Sequence, residues 1–182
     1  IQNRPMATWI SDAASLGDLF KRNCGKHAAK VAYRKPTKAG FVDITYAEAL
    51  EEVYNYAKAI DSYNLQKGET VALVCETCIE WAFTDWAAQT LGLVLVPIYP
   101  TLPADEAQYI ANDCEAKLVI VQDEKQAAKF PNHQIVLLKD GLLDRDSGLT
   151  REDWDARTKA VDRKDVATII YTSGTTGQPK GA

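Results

Sequence analysis

The sequence has no long apolar run. Nothing in its 182 residues approaches the roughly 18 consecutive apolar residues that span a bilayer. Its first residues also lack the basic stretch followed by an apolar one that marks a secretory leader, so a cytoplasmic location is expected. Basic charge is in deficit: 21 Lys and Arg against 25 Asp and Glu leave a net charge of -4, with no basic block. That removes the electrostatic footprint that nucleic-acid binding requires, and no nucleic-acid partner is expected. The two histidines, His27 and His133, are far apart and neither lies beside a nucleophile motif, which leaves both as surface or loop residues rather than catalysts. Of the four cysteines, Cys75 and Cys78 form a CxxC, but Cys24 and Cys114 do not form a second. A four-cysteine zinc site is thereby excluded, and no protein-held metal is expected. No internal repeat or low-complexity tract interrupts the chain.

What is present is a soluble-type composition, 46% hydrophobic, sufficient for one sizeable core. After an irregular lead-in, Leu16, Leu19 and Phe20 fall at helical spacing behind Ser15, a plausible N-cap. Val31 to Arg34 and Phe41 to Thr45 flank Lys35-Pro36-Thr37-Lys38-Ala39-Gly40, which predicts two strands joined by a loop. Thr45-Tyr46-Ala47-Glu48 fits a capping box, opening a long helix predicted to end near Tyr63. Val71 to Val74 predicts a strand, and 79–91 a helix that Gly92 can close in a left-handed cap. Leu93 to Val96 predicts the next strand, ended by Pro97. Pro103 then opens a helix whose apolar face carries Tyr109 and Ile110. Strands are predicted at Leu118 to Val121, Ile135 to Leu138 and Val166 to Tyr171, with helical segments near Glu124 to Lys129 and Arg151 to Thr158. Asp144, Arg145, Asp146, Arg151, Glu152 and Asp153 read as a solvated face. This alternation predicts an α/β fold, a mostly parallel sheet with helices on both faces, whose ligand belongs at the carboxyl ends of the strands.

The chemistry concentrates at the end of the chain. Val166 to Tyr171 is expected as a buried strand, and Thr172-Ser173-Gly174-Thr175-Thr176-Gly177-Gln178-Pro179-Lys180-Gly181 follows it. The glycines let backbone N–H groups surround an anion, the hydroxyls donate, and Lys180 adds a compact positive charge. Such clusters are usually solvated turns, but this one follows a strand and ends in Pro-Lys-Gly. A Walker A loop counted from Gly174 would need glycine at Pro179 and a hydroxyl at Gly181, so that motif fails.

Tyr171-Thr172-Ser173-Gly174-Thr175-Thr176-Gly177-x-Pro179-Lys180-Gly181 resembles the signature loop of the AMP-forming acyl- and aryl-CoA synthetase superfamily, with ten of eleven positions fixed. Glu80-Trp81, Gly92, Val96-Pro97-Ile98-Tyr99-Pro100-Thr101-Leu102 and Tyr109-Ile110 are similar to its long-chain fatty acid–CoA ligase branch. The resemblance implies the N-terminal subdomain of an adenylate-forming enzyme, residues 1–182 being the N-terminal part of its AMP-binding domain, cut within the phosphate loop and lacking the C-terminal remainder. It implies ATP, Mg2+ and CoA as cofactors or co-substrates, a fatty acid as substrate, and conversion of the acid to acyl-AMP and then to acyl-CoA. It also leaves room for peripheral membrane association. The residues it assigns to the nucleotide phosphates are Thr172, Ser173, Gly174, Thr175, Thr176, Gly177 and Lys180, with Lys180 catalytic.

Tyr99, held between prolines at the end of a strand, is expected to line the substrate site. Trp81, Phe83 and Trp86 fit either an acyl pocket or, as aromatics at that period usually do, the core. Three other readings stand beside the ligase: another carboxylate-adenylating enzyme such as an acyl-AMP ligase, a non-catalytic nucleotide-binding module, and a CxxC redox protein in which a helix N-terminus lowers the Cys75 pKa.

Overall fold

The computed structural model describes residues 12–172 and 178–182. Helix α1 (Leu16–Lys26) starts where the Ser15 hydroxyl accepts the Asp18 amide at 3.1 Å. Strands β1 (Val31–Thr37) and β2 (Gly40–Thr45) pair antiparallel, with Thr37 opposite Gly40. The strands are longer than the sequence indicates: Lys35, Pro36 and Thr37 belong to β1 rather than to the loop. Gly40 permits the tight return at φ 125°. Helix α2 (Tyr46–Asp61) opens on the predicted capping box, in which Thr45 accepts from the Glu48 amide while the Glu48 carboxylate accepts from Thr45.

Four strands, β3 (Thr70–Val74), β4 (Val94–Ile98), β5 (Leu118–Val121) and β6 (Ile135–Leu137), form a parallel sheet in the order β4-β3-β5-β6. Their connections are α3 (Ile79–Leu91), α4 (Ala104–Asp113) and the short α5 (Glu124–Ala127), and α6 (Arg151–Lys159) follows β6. Alternate strand residues divide the interior in two. Val71, Leu73, Leu95, Leu118 and Ile120 join a core with Phe20, Val53, Ile60, Ala87 and Trp154, contributed by α1, α2, α3 and α6. Ala72, Val74, Val96, Ile98, Val119 and Val121 pack on the other face against Ala107, Ile110 and Ala111 of α4 and against Phe130. Helices on both faces of a parallel sheet are what the alternating pattern predicts. The chain moves from β3 to β4 over one face, then from β4 past β3 to β5 over the other. This reversal is a topological switch, and the crevices beside it open at the carboxyl ends of the strands.

Two details of the predicted order are corrected. Pro97 does not end its strand, because β4 runs through it to Ile98 in register with β3, Leu73 opposite Pro97. Val94 donates its N–H inward to Glu69 and Leu95 donates outward to Ala167, so the nitrogen of Pro97 faces outward, where no bond to β3 is lost. The second correction concerns Val166 to Tyr171, expected as a buried strand. It runs beside the outer edge of β4, with a single bridge, Leu95 to Thr168, before the two-residue strand β7 (Tyr171–Thr172). Leu95 donates to Ala167 and accepts from Ile169, both at 3.1 Å. The next outward donor on β4 would be Pro97, which has none, and the ladder stops there. As an outermost element the segment covers only one face, so Val166 and Ile170 stay exposed at 59% and 45%.

Candidate active site

β7 turns back onto β8 (Lys180–Gly181), with Thr172 opposite Lys180 and Tyr171 opposite Gly181. Ile170 and Ala182 exchange backbone bonds at 2.9 and 3.1 Å, closing the base of the loop. Ser173, Gly174, Thr175, Thr176 and Gly177, expected to hold phosphates, lie outside the described residues. Thr172 and Lys180 are both exposed, facing each other across the loop's base. Gly181 is required by packing: a Cβ there would stand 2.7 Å from Ile169 Cγ2 and 3.0 Å from Tyr171 Cζ. The glycine that a Walker A comparison would discard is thus the surface on which the Tyr171 ring rests.

Because β3, β4 and the 166–172 segment are parallel, the loops that follow them open on one end of the sheet. There they enclose a cleft of about 440 Å³, walled by residues 75–77, by 97–101, and by Ile170 and Tyr171, with Trp81 of α3 contributing its ring. Tyr99 lines this cleft and is 72% exposed at its mouth. Each wall is tied to a side chain from elsewhere in the chain. Gln122 Oε1, just after β5, accepts the Glu76 amide at 3.0 Å. Lys129 Nζ donates to the carbonyls of Pro100 and Leu102 at 2.7 and 2.8 Å, pinning the loop that carries Tyr99. Tyr171 donates its hydroxyl to Asp113 Oδ2 at 2.5 Å. Burial, then this bond to a carboxylate, hold the Tyr171 hydroxyl above its ordinary pKa, so it remains the donor. None of Gln122, Lys129 and Asp113 is visible as a site residue in the sequence. Each acts on a partner tens of residues away, and no local spacing encodes that.

The three aromatics divide. Phe83 is core, 4% exposed and edge-on to Tyr33, while Trp86 stacks on Phe20 and donates to the Tyr33 hydroxyl at 2.8 Å. Only Trp81 reaches the cleft. Two larger hollows, about 530 and 750 Å³, lie under the β1–β2 hairpin around the 2.7 Å Lys35–Glu80 ion pair, away from Thr172 and Lys180.

The Cys75 and Cys78 sulfurs are 3.6 Å apart at the start of α3, and both are free thiols. Burial, aided by the Cys78 thiol, pushes the Cys75 pKa up to about 12, the reverse of the lowered value a redox nucleophile needs. Cys24 and Cys114 are also pushed up, each to about 11, by burial. His27 caps the end of α1, and His133 packs edge-on to Phe130. Among the described residues, no group of three or more His, Cys, Asp or Glu could hold a metal ion. No helix among them is long and apolar enough to cross a membrane.

The sequence model of the family described as AMP-binding enzyme matches residues 20–182. The chain belongs to the AMP-binding enzyme family. Among its relatives in this family, the long-chain-fatty-acid–CoA ligase FadD15 of Mycobacterium bovis is 31% identical over 166 residues, covering 83% of this chain and 28% of that protein. Surfactin synthase subunit 3 of Bacillus subtilis is 28% identical over 182 residues, covering 99% of this chain and 13% of that protein. The solved N-terminal subdomain of Klebsiella oxytoca NpsA superposes with a TM-score of 0.77 at 23% identity, covering 93% of this chain and 41% of that one, a likeness of fold. The chain therefore spans less than a third of the length of either relative, and its fold is that of part of the NpsA N-terminal subdomain.

Proposed function

We propose that this chain is the N-terminal part of the AMP-binding domain of an ATP-dependent ligase that converts a long-chain fatty acid to acyl-AMP and then to its CoA thioester. One observation supports the reading above others. The 166–172 segment runs parallel beside β4 and carries Thr172, with Lys180 paired opposite, to the end of the sheet where the Tyr99 cleft opens. In this reading Thr172, Ser173, Gly174, Thr175, Thr176, Gly177 and Lys180 hold the β- and γ-phosphates of ATP. Tyr99 borders the acid. The acid's carboxylate attacks the α-phosphorus, a bond from its oxygen forms as the bond to pyrophosphate breaks, and the CoA thiolate later displaces AMP. An anion attacking a polyanion is slow until the leaving pyrophosphate is fixed and its charge balanced, which N–H groups, hydroxyls and a lysine supply. Magnesium, which the resemblance implies accompanies ATP, would add to that charge balance.

The test is Lys180→Ala in the whole protein. Losing a charge-assisted contact to phosphate is worth about 1.5–3 kcal/mol, so kcat/KM for ATP should fall roughly tenfold to somewhat over a hundredfold. The preferred chain length should not change. Lys180→Arg should recover only part of the loss, because a planar fork does not reproduce a compact ammonium. Unchanged ATP kinetics with an altered acid preference would refute the phosphate assignment. The same family resemblance allows a second reading, an acyl-AMP ligase that hands its product to a carrier protein. Product formation with CoA as the sole acceptor decides between the two.

A further inference from the structure

We propose that Asp113 is a positioning residue for the phosphate loop, acting through Tyr171. The inference rests on the phosphate assignment of Lys180 made above and adds what holds that loop in place. Asp113 is the last residue of α4, on the opposite face of the sheet from most of the helices, and its carboxylate accepts the Tyr171 hydroxyl at 2.5 Å. The Tyr171 ring in turn lies against Gly181, where even a methyl group would be 3.0 Å from Cζ. Gly181 is the neighbour of Lys180 in β8, and both residues pair with β7. Carboxylate, phenol ring, glycine and lysine thus form one continuous path from α4 to the ammonium group.

Two further observations show that this contact serves the loop. β7 and β8 are two residues each, and Pro97 ends the ladder that could have held the segment to β4. Backbone pairing alone therefore fixes the loop's base weakly, and a side-chain tether has something to add. The carboxylate also does nothing for its own helix. Asp113 sits in the last turn of α4, which contains no basic residue, and a negative charge there opposes the helix dipole. Small displacements of a phosphate-binding group have large kinetic effects, because catalysis of this kind depends on positioning.

The experiment compares Asp113→Ala, Asp113→Asn, Tyr171→Phe and the double variant Asp113→Ala/Tyr171→Phe in the whole protein, with Lys180→Ala as reference. Initial rates are measured against ATP and against the fatty acid, with a thermal melt of each variant. Asp113→Ala and Tyr171→Phe should each raise KM for ATP about 3- to 10-fold, the factor one net hydrogen bond represents. In the Asp113 single variants, whose side chain does not line the cleft, KM for the acid should stay within twofold. Asp113→Asn should restore most of the loss, since its amide oxygen still accepts the hydroxyl. The double variant should be no worse than the poorer single one. Melting temperatures should be nearly unchanged, because Asp113 is exposed. Additive losses in the double variant, or an Asparagine variant as impaired as Alanine, would overturn the proposal. So would parallel loss of acid binding and melting temperature. If Lys180→Ala raises KM for ATP and Asp113→Ala does not, the tether alone is refuted. If neither does, the phosphate reading falls and takes the tether with it.

Discussion

Two glycines of α1 have opposite requirements, and the difference gives a prediction whose sign depends on the structure alone. A Cβ at Gly17 would stand 2.9 Å from both the carbonyl oxygen of Gln89 and Cα of Thr90, which are backbone atoms of α3 that no rotamer change can move. The facing turn is also held from elsewhere. Gln89 Nε2 donates to Ala167 O at 3.1 Å, Trp154 Nε1 donates to Thr90 Oγ1 at 2.9 Å, and Thr158 Oγ1 donates to Thr90 O at 2.9 Å. Gly17→Ala must therefore part the two helices by several tenths of an ångström. Overpacking of this kind costs about 1–3 kcal/mol, offset by the roughly 0.5–1 kcal/mol that alanine gains over glycine in a helix. The net expectation is a loss of about 1–2 kcal/mol. Gly25, two turns further along the same helix, has nothing within 4 Å of its would-be Cβ, so Gly25→Ala should gain about 0.5 kcal/mol. Urea titrations followed by tryptophan fluorescence, run side by side with the parent, measure both. In a chain of this size the Gly17 change corresponds to a fall in Tm of about 2–8 °C. A Gly17→Ala variant as stable as the parent, or a Gly25→Ala variant equally damaged, would refute the claim that backbone contact between α1 and α3 is what selects glycine at position 17.

Two further changes test backbone strain and buried charge. Glu115 follows α4 with φ 52°, a left-handed conformation that a side chain disfavours, so Glu115→Gly should stabilise by about 0.5–1 kcal/mol in the same titration; a destabilised variant would show the strain to be absent. Burial raises the Asp85 carboxyl above its ordinary 3.8, so the folded state favours the protonated form; that contribution is fully present below pH 3.8 and is lost as pH rises through the folded-state value. At neutral pH the chain therefore bears the cost of burying the charge. Asp85→Asn keeps an acceptor for Gln89 Nε2, now 3.1 Å from the carboxylate, and should raise Tm at pH 7, with the advantage disappearing by about pH 3. An advantage independent of pH would point to packing instead.

What could be read in the sequence is what depends on near neighbours. The Ser15 cap, the Thr45–Glu48 box and the Gly92 terminus, at φ 72°, each involve residues within a turn of one another, and each is where the sequence puts it. The fully buried β3 and β5 announce themselves as continuous apolar runs, since both their faces are covered. Val166 to Tyr171 carries the same signal and means something else. An apolar run shows that a strand suits the residues but not which neighbour covers it, and at the rim of the sheet every second residue is left outside. A motif and a proline-bounded loop are what mark Thr172, Lys180 and Tyr99 as candidates in the sequence. The supports behind them carry no such mark: Asp113 meets Tyr171 across 58 residues, and Lys129 reaches Leu102 across 27, distances at which only the folded chain shows who meets whom.

Pro97 links the edge of the sheet to the site. It helps wall the cleft, its Cα stays in register with Leu73 of β3, and its missing N–H ends the outer ladder after Leu95. Beyond that point the segment is held along its other edge, where Ile170 bonds Ala182 and Thr172 stands opposite Lys180. The early end of the ladder has a consequence of its own, because a segment let go by one neighbour needs another to fix it. Gln122, Lys129 and Asp113 fulfil that need for the three walls in turn, and all three lie in one stretch, from the last residue of α4 to just past α5. The geometry of the cleft thus depends on the packing of Ala107, Ile110 and Phe130 beneath those tethers, on the face of the sheet against which Ile169 and Tyr171 also pack.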